Sequence, residues 1–223
     1  SDVDYIKIPE SVTNIGQYGV GYRELYNAET GEEYYSKITG FTIGCVRGSY
    51  AESYARDNGF NVDLIKDINE LEVVLDSSSY TYTSHEIMPQ VMVYDGATLL
   101  SAGVDYSVTY KDNYNAGTAY AVISGYGEYC GTRYVPFTIN PADASQITVS
   151  PIDDRVFCGE NIEQWFDVSF NGWYLYEGDD YTVSYRNNYY PGTVYVDIAF
   201  KGNYTGTKTL SFRIYLDSVS GLR

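Results

Sequence analysis

The stretch DYSVTYKDNYNAGT, Asp105 to Thr118, returns as DYTVSYRNNYYPGT, Asp180 to Thr193. The offset is 75 residues (180 − 105), and it holds when read outward. Gly103 meets Gly178, and Tyr106, Val108 and Tyr110 meet Tyr181, Val183 and Tyr185. Gly127, Tyr129 and Gly131-Thr132 meet Gly202, Tyr204 and Gly206-Thr207, while Phe137 and Ile139 meet Phe212 and Ile214. No gap is needed, so residues 71–140 and 146–215 read as two copies of one domain.

Both copies alternate apolar and polar residues with period two, the signature of a half-buried strand. In Thr193–Ala199, Val194, Val196 and Ile198 share one face, and Asp197 on the other face marks the solvent side. The first copy matches with Ala119, Ala121 and Ile123 inward. The closing strands place Val135, Phe137 and Ile139, then Leu210, Phe212 and Ile214, inward. Turn signals separate them at Asp95-Gly96, Gly127, Asn171-Gly172 and Gly202. About six or seven short strands in about 70 residues is the profile of a small β-sandwich. The chain's 27 tyrosines fit that class, because a tyrosine ring packs on a sheet while its hydroxyl reaches water. Pro141 marks a short linker between the copies.

The shared pattern GxDYxVxY…N…GT…GxYxGT…FxI resembles bacterial immunoglobulin-like domains, which occur in tandem on secreted and surface proteins of Gram-positive bacteria. The resemblance covers both copies end to end and implies spacer or adhesive duty rather than catalysis. The second copy departs from it with Trp173 in NGWYLYEGDDY.

Residues 1–68 do not fit the repeat. Ile6 and Ile8 alternate ahead of Pro9. A strand is expected from Phe41 to Ile43, a short helix from about Ser49 to Asp57, and a last strand from Phe60 to Ile65. Tyr50, Tyr54 and Ala55 form the helix's apolar stripe, and Asn58-Gly59 its stop. Strand–turn–helix units of this size suit a solenoid coil. IPESVTNIGQYGV and FTIGCVRGSYAESYARDNGF resemble BspA-like leucine-rich repeats of surface proteins, the second matching the unit that ends such arrays. The resemblance implies the C-terminal cap of a truncated array, since a solenoid needs roughly three coils for stability of its own.

The fold class expected is therefore mainly β: a partial solenoid cap over 1–68, then sandwich domains over 71–140 and 146–215. The formal charge is −16, which repels the phosphates of nucleic acids and anionic membranes. No apolar run approaches the roughly 18 residues of a membrane span, and no signal-peptide pattern is present, which suits a mature chain or an excised piece. Three cysteines, Cys45, Cys130 and Cys158, contain no CxxC, and free thiols are expected.

Catalytic and metal sites are not expected, nor is a cofactor. The single histidine, His85, has Glu160 as its counterpart and no nucleophile with an orienting group beside it. The adjacent carboxylates Glu32-Glu33, Asp153-Asp154 and Asp179-Asp180 read as solvated loop charge, because a glycosidase sets its two carboxylates across a cleft. Asn203-Tyr204-Thr205 matches the glycosylation sequon formally, but incidentally to the turn. The candidate binding residues are aromatic: Trp173, Tyr174 and Tyr176 near one hairpin tip, with Tyr190 as an outlying contact beside Tyr189. Such rings stack on sugars and anchor protein partners. The function expected is that of a non-catalytic, monomeric region outside the cell. It would serve adhesion, spacing, or capture of a protein or glycan partner. The alternative is an accessory region of a larger extracellular polysaccharide-degrading enzyme.

Overall fold

A computed structural model describes residues 3–217. The chain is mainly β, arranged in several sheets. It divides into two compact units, Ser1–Val74 with Val91–Thr109 and Val122–Val135, and Leu75–Gln90 with Tyr110–Ala121 and Pro136–Arg223. The strands Tyr106–Lys111, Gly117–Gly125 and Thr132–Asn140 contribute residues to both units.

In the first unit, strands Tyr5–Lys7, Thr42–Val46, Asn61–Asp67 and Tyr129–Cys130 form one parallel sheet in that order. The crossover between the second and third carries helix Tyr50–Asp57. Ser49 caps it by accepting from the Glu52 amide, and the Glu52 carboxylate takes Arg56 one turn on. The buried stripe is Ala51, Tyr54 and Ala55, packed with Ile8, Phe41, Ile43, Cys45 and Phe60. The expected stripe thus shifts by one position: Tyr50 is exposed and Ala51 takes its place against the sheet. Ile8 is buried but Ile6 lies at the surface. The strands start one residue later than expected and extend further, to Val46 and Asp67. A hairpin of Tyr22–Tyr26 and Glu33–Lys37 intervenes, which the sequence pattern did not announce.

In the second unit, Arg155–Val156, Thr207–Tyr215, Gly192–Phe200 and Tyr181–Arg186 make a four-stranded sheet in that order. Thr148–Val149, Val168–Phe170 and Trp173–Tyr174 make a three-stranded one. Val194, Val196 and Ile198 are fully buried, and Phe212 and Ile214 nearly so. They pack with Ile152, Ile162 and Phe166, and Ile198 joins Val168, Phe170 and Leu175. This arrangement is compatible with a β-sandwich. Asp197 lies outward, as its charge requires, but not alone. Arg186 bridges it across the strands and Thr209 donates to it at 2.7 Å.

The offset of 75 extends to hydrogen bonds. Asp105 accepts from the Ser101 amide at 2.7 Å, and Asp180 from the Tyr176 amide at 2.9 Å. Tyr126 N–H donates to Asp105 O, and Lys201 N–H to Asp180 O. Tyr106 and Tyr181 open equivalent strands, Tyr106–Lys111 and Tyr181–Arg186. At the start of each copy the offset becomes 76. Asp67 and Asp143 cap matching short turns, Ile68–Glu70 and Ala144–Gln146. The first copy therefore holds one extra residue between Leu71 and Ser79.

Candidate functional site

The second copy carries a groove of about 640 Å³, wholly within the second unit. One wall is the irregular segment 163–167, and the other is 174–177. Tyr181, Val183 and Tyr185 of the Tyr181–Arg186 strand line it between them.

Each wall has a local cause. Asn171 and Gly172 both take positive φ, 51° and 84°, making the two-residue turn that pairs Phe170 with Trp173. That pairing sends Leu175 inward and leaves Tyr174 and Tyr176 63% and 66% exposed. The opposite wall is pinned by Gln164, which is buried. Its side chain donates to Asp153 O and accepts from Arg155 Nε, and its amide donates to the Tyr185 hydroxyl. Next to this anchor, Trp165 is fully exposed. Glu163, Asp167 and Glu177 also line the groove, and among the described residues no basic side chain does.

Tyr174 and Tyr176 are thus brought together in one groove. Trp173 is exposed at the hairpin but does not line it, and Tyr190 lies elsewhere. The sequence reading missed Trp165, whose counterpart is Gln90. A tryptophan replacing a polar residue between the copies was the available signal.

Tyr190 stands against Tyr189, centroids 4.8 Å apart, with Tyr189 edge-on to Phe157. The repeat explains this place. The counterparts of Tyr190 and Pro191 are Asn115 and Ala116, where the first copy receives the second. There Ala116 N–H donates to Asn203 Oδ1 at 2.7 Å, and Asn203 Nδ2 to Asn115 Oδ1 at 3.0 Å. Pro191 has no N–H, so the end bearing Tyr190 lacks that donor. The sequon asparagine is accordingly engaged in a junction.

His85 Nδ1 lies 3.0 Å from Thr83 O within its own turn. Asp154 and Asp180 accept backbone amides, of Arg213 and Tyr176, which is turn chemistry. Cys45 is buried, Cys130 half-buried and Cys158 exposed, and all three are free thiols. Among the described residues no cluster of three or more His, Cys, Asp or Glu side chains is placed to hold a metal, and no helix is long and apolar enough to cross a membrane. In comparison with known proteins, no family model and no curated protein matches this chain.

Proposed function

We propose that this chain is a non-catalytic, extracellular binding and spacing region: the end of a BspA-like leucine-rich-repeat array joined to two bacterial immunoglobulin-like domains. The parallel coils around helix Tyr50–Asp57 and the repeated turn hydrogen bonds support the two family readings. The observation that carries binding is the groove, where Trp165, Tyr174 and Tyr176 present rings on a scaffold fixed by Gln164. Rings held on strands and anchored loops lose little conformational freedom on contact. A screen of the chain against glycans and matrix proteins tests this. Tyr176→Ala should abolish any hit and leave the melting temperature unchanged. Hits that survive both Tyr176→Ala and Trp165→Ala move the binding surface elsewhere. No hit at all leaves a spacer.

The second reading, an accessory region of a polysaccharide-degrading enzyme, is favoured by the same rings, since sugar faces stack on tyrosine and tryptophan. Binding confined to polysaccharides would select it. Turnover of a substrate by the purified chain would defeat both.

A further inference from the structure

In the first copy, the Tyr106 hydroxyl donates to Val91 O at 3.2 Å, tying the strand to the segment beside it. The counterparts are Tyr181 and Phe166. Tyr181 is 7% exposed against 2% for Tyr106, and its hydroxyl makes no hydrogen bond among the described residues. The reason is local. Val91 and Met92 belong to strand Val91–Asp95, but Phe166 and Asp167 have left the strand, which starts only at Val168. Neither Trp165 nor Phe166 has its backbone N–H or C=O bonded among the described residues. The groove therefore holds a tyrosine hydroxyl with no protein partner among the described residues, open backbone groups on one wall, three exposed aromatic rings and three carboxylates. None of these carboxylates is in an ion pair among the described residues.

An extended backbone with unpaired N–H and C=O groups supplies donors and acceptors to an incoming strand. Carboxylates around aromatic faces select a cation, which gains from both. A neutral glycan would use the rings but leave the three carboxylates unanswered.

We propose that the groove binds an extended polypeptide segment bearing lysine or arginine. Its backbone meets Trp165 and Phe166, and a cationic side chain lies among Trp165, Tyr174 and Tyr176 near Glu163, Asp167 and Glu177. This rests on the reading of the groove as the binding site and names what it takes.

The test uses Trp173→Phe in the full chain, so that Trp165 is the sole tryptophan and its emission reports the groove. The probes are a nine-residue peptide alternating lysine and threonine, its fully acetylated form, and cellohexaose. The lysine peptide should shift Trp165 emission saturably, and the acetylated peptide should bind about tenfold more weakly or not at all. Glu163→Gln with Asp167→Asn and Glu177→Gln should weaken the lysine peptide by about tenfold. Glu29→Gln with Glu32→Gln and Glu33→Gln removes equal charge from residues that do not line the groove, and should change it less than twofold. Equal loss from the two triple variants would reduce the effect to bulk attraction and overturn the proposal. A shift with cellohexaose and none with the peptide overturns the peptide chemistry while the groove remains a binding site. No shift with any probe overturns both.

Discussion

Two junctions in this chain use one backbone device with opposite chemistry. Ahead of each copy, two linker residues pair in parallel with the strand of the GxYxGT turn: Lys66 and Asp67 with Tyr129 and Cys130, then Ala142 and Asp143 with Tyr204 and Thr205. In the first unit, the tyrosine at this place, Tyr129, donates to Asp95 at 3.2 Å, and Lys66 bridges the same carboxylate. In the second unit, the position of Asp95 is taken by Phe170. Tyr204 stands edge-on to Phe170 and to Tyr82, each 5.5 Å away, and Tyr82 stacks on Phe170. The pairing sets geometry, and the side chains set what the junction responds to. A charged clasp with an exposed lysine is screened by salt, whereas an aromatic one is not.

The comparison breaks first at Tyr204. Tyr204→Ala removes a buried ring from the aromatic junction and should cost about 3–5 kcal/mol, read in denaturant unfolding. If the loss is under about 1 kcal/mol, the aromatic contact is not what holds that junction. Next comes the glycine both turns share. Gly131 has φ +81°, and a Cβ there would collide with the Asp67 carboxylate. Gly206 has φ +93°, and a Cβ there would lie 3.1 Å from the Ala144 Cβ. Both alanine variants should destabilise by about 1–3 kcal/mol, Gly131→Ala the more. Asn203→Ala should cost about 1 kcal/mol, because it also strands the Ala116 amide. The reverse order of Gly131→Ala and Asn203→Ala would mean that side-chain clasps outweigh backbone shape.

The smallest effect is the most selective. The Asp95 carboxyl is held below its usual range by its hydrogen bond from Lys66, against a lesser opposing effect of burial. A depressed folded pKa contributes stability above the unfolded value and loses it as pH falls through the folded one. Acid titration below about pH 4 should therefore weaken the charged clasp; in an Asp143→Asn background, which removes the second junction's own carboxyl held low by Ser145, it should spare the aromatic one. Proteolysis kinetics at each junction would read this. Alkali does not discriminate, since burial raises both Tyr129 and Tyr204. Equal acid sensitivity at the two sites would dissolve the contrast.

Much of this was legible in the residues. The offset of 75 placed Tyr106 and Tyr181, and alternation alone turned Val194, Val196 and Ile198 inward, because period two leaves a sheet residue only two directions. The candidate site was half legible. Asn171-Gly172 announced the hairpin that lifts Tyr174 and Tyr176, but Trp173 on the same turn does not line the groove. Trp165 escaped because it sits in no periodic run. The other wall exists only where the strand gives way before Val168, and the anchor responsible, Gln164, bonds to residues up to 21 positions away. Tyr50 misled for a related reason. A short helix fixes its buried stripe by what it packs on, and Ala51 fits closer to the sheet than a second large ring would.

The linker pairing also bears on how the chain can be cut. Strand Asn61–Asp67 is the third strand of the first parallel sheet and supplies the partner of its edge strand, Tyr129–Cys130. An excised first copy beginning at Leu71 would leave behind Lys66, Asp67 and the cap of its own opening turn. It would expose Tyr129 and a bare strand edge. A cut that keeps each linker pairing falls upstream of the sequence similarity, before Lys66 for the first copy and before Ala142 for the second.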